Sequence, residues 1–295
     1  MNDQASALRE QVKQLKGLPL EEPTLNQEAR AIAVMSGKGG VGKSNFSLNF
    51  SLSLQKRGYK VLLFDMDIGM ANIDILLGMT QRYSILHLFE QNLSLEDIIQ
   101  QGPQGLSYIA GGSGLRDVFQ FDEQKRIHFL NQVQQLSIQY DYIIFDMGAG
   151  ITSESLQLIL SCNEIILIST CEPTAMTDAY SALKFIHNHD QEIPFQLVIN
   201  RAISPKHAIH TAARLQSVTQ RFLNKNLSHM GSLPDDKHVT LAVMEQTPFL
   251  LRFPNSHVSR AVQEISSKYL HGSGRNTAAT KKTHTFIHKL RRLFV

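Results

Sequence analysis

The chain has 295 residues, 42% hydrophobic and 19% charged, the composition of a globular protein with a sizeable core. It holds no run of eighteen apolar residues, so a membrane-spanning helix is excluded, and its start, MNDQASALRE, lacks the basic-then-apolar order of a secretory signal. Two cysteines, Cys162 and Cys171, are too few for a disulfide framework or a four-cysteine metal site. They read as buried thiols in a reducing cytoplasm. The net charge of +3 is unevenly spread: residues 272–295 carry six bases and no acid, which leaves residues 1–271 at −3. A slightly acidic body is not the basic surface of a nucleic-acid binder, so no nucleic-acid partner is expected.

In chain order, residues 2–16 are predicted to form a short helix with Ala5, Leu8, Val12 and Leu15 on one face, ended by Gly17 and Pro19. Residues 17–29, with two prolines, read as a linker. Short apolar runs then alternate with longer amphipathic ones across residues 30–271. Predicted strands are 31–35, 60–65, 106–110, 142–146, 164–169, 195–200 and 228–233, and predicted helices are 44–57, 122–139, 153–161, 177–189, 206–223, 237–245 and 256–269. Apolar strands each followed by a helix imply an α/β fold, a mostly parallel sheet with helices on both faces. Residues 272–284 are small and polar, as in a flexible tether, and residues 285–295 are amphipathic again.

The strongest motif is Gly37-Lys38-Gly39-Gly40-Val41-Gly42-Lys43-Ser44, which fits G-x-x-x-x-G-K-[ST] between an apolar strand and a helix. Glycines in that context let backbone N–H groups turn inward around phosphate oxygens at a helix N-terminus. Lys43 is expected on the β- and γ-phosphates and the Ser44 hydroxyl on Mg²⁺. Asp65 and Asp67 end the second strand, and Tyr142-Ile143-Ile144-Phe145-Asp146 is an apolar strand ending in an acid. Carboxylates at the carboxyl ends of parallel strands beside such a loop are placed for Mg²⁺ or water. Asn200-Arg201-Ala202-Ile203 stands where a guanine pocket would need [NT]-K-x-D; with no acid there, adenine is the expected base.

The extra lysine in K-G-G-V-G-K-S resembles the deviant Walker A ATPases of the MinD/ParA (SIMIBI) family. That resemblance implies a P-loop NTPase fold and an ATP-bound homodimer in which Lys38 reaches the partner's nucleotide. It implies that Asp67, in a stretch similar to the family's D-x-D-x-G-x-x-N-x-D, orients the attacking water near the metal, and that Asp146 holds Mg²⁺ through water. It places Asn200 and Arg201, with Pro234 and Asp235 of a second loop, around adenine. ATP/ADP and Mg²⁺ are thus the expected cofactors, and Lys38, Lys43, Asp67 and Asp146 the expected catalytic residues.

Taken as a helix, the last eleven residues put Phe286, Ile287, Leu290, Leu293 and Phe294 within an arc of about 120°, with Lys289 and Arg292 opposite and Arg291 near the boundary. That pattern suits a helix lying in an anionic membrane surface, and MinD proteins carry a membrane-targeting helix at this place. At the other end, Asp3-Gln4-Ala5-Ser6-Ala7-Leu8-Arg9 resembles the D-Q-A-x-x-L-R motif of the FlhG (YlxH) group of flagellar MinD-type ATPases. This resemblance implies that Asp3, Gln4, Ala5, Leu8 and Arg9 meet the SRP-type GTPase FlhF, that flagellar C-ring proteins are partners, and that the protein sits in the cytoplasm, reversibly on the inner face of the membrane. A ParA-type DNA-segregation ATPase and a regulatory adaptor with little turnover are the other readings.

Overall fold

The computed structural model describes residues 28–67, 72–80, 83–84, 87, 93–111, 123–272 and 285–294. The predicted helix over 2–16, with Asp3, Gln4, Ala5, Leu8 and Arg9, lies outside these residues, as do most of the linker, residues 68–71 of the second aspartate motif and most of the tether.

The backbone is an eight-stranded sheet in the order β3-β4-β2-β5-β1-β6-β7-β8. Its strands are β1 (Arg30–Ser36), β2 (Val61–Met66), β3 (Gln100–Gln101), β4 (Ser107–Ile109), β5 (Tyr142–Met147), β6 (Glu164–Thr170), β7 (Phe195–Ala202) and β8 (Leu227–Pro234). All seven predicted strands are present and pair in parallel; β3, an antiparallel edge strand of two residues, was too short to show an alternation. Strands β2, β5 and β6 are buried along their whole length, so their side chains feed two cores.

One core packs alternate strand residues such as Ala33, Phe64, Phe145 and Leu167 under helices α4 (Glu123–Gln139), α5 (Ser153–Ser161), α6 (Pro173–His187) and α7 (Pro205–Leu223). The other packs Val34, Leu63, Ile144 and Ile166 under α1 (Lys43–Gln55), α8 (Lys237–Met244) and α10 (His257–Gly272). Among the described residues, three short α-helices escaped the sequence reading because each is too brief to display a helical period: α2 (Ile73–Leu77), α3 (Leu95–Ile98) and α9 (Phe249–Arg252). Helix α6 begins four residues before its predicted start because Pro173 takes the first helical position, where a missing N–H costs nothing. Cys162 is buried as expected, and Cys171 is partly exposed.

The C-terminal segment departs from expectation. Helix α11 (Phe286–Phe294) forms, yet the apolar side expected to face lipid is turned inward. Phe286, Ile287 and Leu290 are buried in the first core, and the Phe286 ring lies 5.9 Å from that of Phe145. Arg291 donates to Asn131 and Gln134 on α4, and Lys289 lies 3.9 Å from Asp190. Arg292 is exposed, and the side chains of Leu293 and Phe294 lie outside the described ones. The physical reason is that each large apolar side chain removed from water contributes about 1.5–3 kcal/mol, and the groove between α4 and α5 offers these three an apolar surface. Leu290→Ala is expected to weaken this docking by about 2–4 kcal/mol while the sheet keeps its stability. Hydrogen exchange should then show faster exchange confined to residues 286–294 and the helices they cover.

Candidate functional site

The site is built at the carboxyl ends of β1, β2, β5 and β7. The loop after β1 wraps the start of α1, and Gly42 caps that helix at φ 90°, a left-handed conformation that glycine adopts without a Cβ penalty. A side chain could not stand there, since a Cβ on Gly42 would lie 2.2 Å from the Asn200 amide nitrogen. A Cβ on Gly37 would fall 2.1 Å from the main chain of Asp178, so neither end of the loop has room for a side chain.

Sheet register places Asp65 directly opposite Asp146 on β2 and β5. Asp146 is wholly buried; it accepts 2.8 Å from the Ser47 hydroxyl and faces the Lys43 ammonium at 3.7 Å. Burial pushes its carboxyl above the usual range, and Lys43 first, then the Ser44 and Ser47 hydroxyls, oppose that push. Its second oxygen, Oδ2, has no hydrogen-bond partner. An idle buried carboxylate oxygen beside the Ser44 hydroxyl, at the mouth of a glycine loop, fits a hard cation that keeps part of its water and takes its other ligands from phosphate.

Asp65 has a different task. Its Oδ1 accepts from the Asp67 N–H at 3.0 Å, and its Oδ2 from the Asn72 and Ile73 N–H groups at 2.9 and 3.1 Å. One carboxylate thus closes both ends of the segment that carries Asp67. Asn72 adds a second tie, its side-chain amide donating 2.9 Å to Asp67 Oδ2. The D-x-D spacing marked both acids, but nothing in the sequence shows that the first holds the loop and Asn72 the second.

Burial, and then the Asp146 charge, raise the Asp65 carboxyl to about 7 against the lowering effect of its three N–H donors. The sign for stability follows. The unfolded chain releases this proton near pH 4, the folded one near 7, so the nucleotide-free fold loses stability as pH rises through that window, by up to about 4 kcal/mol. Thermal unfolding from pH 4 to 8 should show this loss, with a shallower slope in Asp65→Asn.

Lys38 lies exposed, 3.5 Å from Glu172 and 3.4 Å from the Thr174 hydroxyl, both at the start of α6. It is separate from the buried Lys43. Neither Glu172 nor Thr174 carries a motif that would have revealed this contact.

The four residues expected around the base do come together, from the ends of β7 and β8. Ala202 pairs with Pro234, and the Asp235 N–H donates to the Ala202 carbonyl at 3.0 Å. Arg201 adopts φ 53°, with Nε 4.0 Å from Asp235, and both are exposed. Asn200 is turned toward the phosphate loop: its amide donates to the Val41 carbonyl at 2.7 Å. The adjacent Asp236 caps α8 and also accepts from the Val258 N–H, which ties this corner to α10.

Residues 29–199 match the profile of the AAA domain family. The chain is 33% identical over 239 residues to the antiactivator FleN of Pseudomonas aeruginosa, covering 81% of this chain and 85% of that protein. It is 32% identical over 268 residues to the flagellum site-determining protein YlxH of Helicobacter pylori, covering 90% of each. Among solved structures, the septum site-determining protein MinD of Pyrococcus horikoshii, complexed with Mg-ADP, superposes with a TM-score of 0.67 over 83% of this chain and 98% of that one, at 23% identity. The chain is an ATPase by this kinship. Likeness of this extent to FleN and YlxH, on a MinD fold, means that the chain belongs to the MinD/ParA family of ATPases, on the branch that holds those two proteins.

Proposed function

We propose that the protein is a Mg²⁺-dependent ATP switch that regulates the number and placement of flagella, dimerises with ATP and docks reversibly on the membrane. The flagellar part rests on the likeness to FleN and YlxH. The observation that carries the switch is the location of the two lysines: Lys43 is buried on Asp146, whereas Lys38 stands exposed on Glu172, free to leave for a partner's phosphates.

In this reading the N–H groups of residues 37–44 and Lys43 hold the β- and γ-phosphates, and Asn200, Arg201, Pro234 and Asp235 surround the adenine. Ser44 and Asp146, with Asp67 nearby, would hold Mg²⁺, which supplies neutralising charge to the phosphate oxygens. Asp67, steadied by Asn72, orients the water whose oxygen bonds to the γ-phosphorus as the bond to the β-bridging oxygen breaks. Lys43, and Lys38 from the other subunit, stabilise the charge that spreads over the γ-phosphoryl oxygens. Dimerisation pairs two copies of α11, so that a helix too short for stable solo anchoring gains by effective concentration once it leaves its groove. Residues 2–16 act on FlhF, and the C-ring is the wider assembly.

Vesicle co-sedimentation tests this with ATP against ADP, and full-length protein against a chain ending at Leu270. The expected result is pelleting of full-length protein with ATP alone; equal pelleting of both chains, or none, refutes the α11 switch. Stimulation of FlhF GTP hydrolysis by a peptide of residues 2–16 tests the partner assignment, and no stimulation refutes it.

A further inference from the structure

Helix α1 carries four serines, Ser44, Ser47, Ser51 and Ser53. Ser44 belongs to the glycine-loop motif, and the sequence assigned no task to the other three. Their hydroxyls do different things. Ser51 donates to the Ser47 carbonyl at 2.7 Å, the ordinary back-bond of a serine within a helix. Ser53 meets the Ser266 hydroxyl of α10 at 2.6 Å. Ser47 reaches out of its helix: it is wholly buried, and its Oγ lies 2.8 Å from Asp146 Oδ1 at the end of β5. The Lys43 carbonyl, 3.1 Å away, competes for the same hydroxyl. A serine has one proton to give. The carboxylate is nearer, and an ionised acceptor makes the stronger bond. The Lys43 carbonyl also has the Ser47 N–H as its regular partner four residues on in the helix. The hydroxyl proton therefore goes to Asp146.

That bond decides which carboxylate oxygen is left over. Lys43 Nζ approaches the same Oδ1, at 3.7 Å, while Oδ2 is buried with no hydrogen-bond partner. The last torsion of an aspartate side chain is soft and nearly two-fold, so its two oxygens exchange easily unless one of them is held. In the proposed function Lys43 turns to the phosphates and Ser44 to the metal. The Ser47 hydroxyl is then the tie on Oδ1 that does not depend on what is bound.

We infer that Ser47 is a positioning residue for the cation site: by holding Asp146 Oδ1 it presents Oδ2 to Mg²⁺. Ser47 touches neither metal nor phosphate in this assignment and acts through Asp146. The inference rests on the Mg²⁺ reading above and deepens it. Ser44 and Ser47, three residues apart, are neighbours on one side of α1. The first therefore serves the metal directly, and the second serves the acid that holds it. A group one step behind a metal ligand fixes that ligand's orientation, and its loss typically costs about 10–100-fold in metal affinity.

The test separates metal binding from nucleotide binding in the full-length protein. Calorimetry measures affinity for a non-hydrolysable ATP analogue in EDTA, and a titration of the analogue-loaded protein then gives the half-saturating Mg²⁺ concentration. Electron paramagnetic resonance with Mn²⁺ in place of Mg²⁺ counts the bound ion directly. Wild type is compared with S47A and with S47T, which keeps the hydroxyl. S47A is expected to need about 10–100-fold more Mg²⁺ while its metal-free affinity for the analogue stays within about twofold of wild type, and S47T to return to within about threefold. If S47A does not fold, S47C, which keeps the volume but donates weakly, takes its place with the same expectation. Three results overturn the inference alone: an unchanged Mg²⁺ requirement in the folded variant, a metal-free affinity that falls as far as the Mg²⁺ affinity, or a folded S47T as weak for Mg²⁺ as S47A. Wild-type protein that binds the analogue equally with and without Mg²⁺, and takes up no Mn²⁺, overturns the Mg²⁺ reading itself and this inference with it.

Discussion

Lys43→Ala is expected to lower ATP affinity by about 100-fold or more and, independently, to destabilise the nucleotide-free protein by about 3–5 kcal/mol. Two different physical causes act through the same side chain. Toward nucleotide, the proposed function makes Lys43 a buried cation whose hydrogen bonds to phosphate would be charge-assisted and made in a setting of low polarity. Toward the protein, it faces the fully buried Asp146 at 3.7 Å, and its removal leaves that carboxylate with hydroxyl donors alone. The two effects separate in the double variant K43M/D146N, which removes both charges of the pair. Chemical denaturation should then return close to the wild-type midpoint, while calorimetry should still find ATP binding lost. ATP affinity unchanged in Lys43→Ala would show that the loop after β1 does not hold phosphate.

Asp67→Ala is expected to slow hydrolysis by about 10²–10⁴-fold, the usual scale for loss of a group that positions a reacting water, while ATP still binds. Asp67 is the acid of this site that is neither fixed in a strand pair, as Asp65 and Asp146 are, nor engaged with Lys43. It sits just past β2, tied by its main chain to Asp65 and by its carboxylate to Asn72. Its removal therefore leaves the loop and Asp146 intact. With hydrolysis stopped and ATP bound, the dimer should accumulate, and sizing of the ATP-loaded variant should give twice the monomer mass. An ATP-loaded variant that runs as a monomer would refute the coupling of hydrolysis to dissociation. Asn72→Ala should reproduce part of the kinetic effect, about tenfold, without loss of ATP affinity, because it frees the Asp67 carboxylate without removing it.

Much of this protein is determined by local sequence. Of the seven parallel strands, β2, β5 and β6 were the most legible, because strands buried along their whole length read as near-continuous apolar runs. The glycine loop after β1 was legible because a positive φ with no room for a Cβ admits glycine almost alone, as at Gly42. Asp65, Asp67 and Asp146 were legible because acids at the ends of apolar strands interrupt the pattern.

What the sequence could not determine depends on partners far away in the chain. That Asp65 faces Asp146 is a matter of strand register across residues 61–147, and that Asp65 holds a loop is a matter of main-chain N–H groups, which every residue carries. The contact of Lys38 with Glu172 spans 134 residues and follows from where α6 begins. The clearest case is α11. Its amphipathic pattern specifies that one side must leave water, but periodicity is the same whether that side meets lipid or protein. Only the groove between α4 and α5 decides that Phe286, Ile287 and Leu290 are buried in the body.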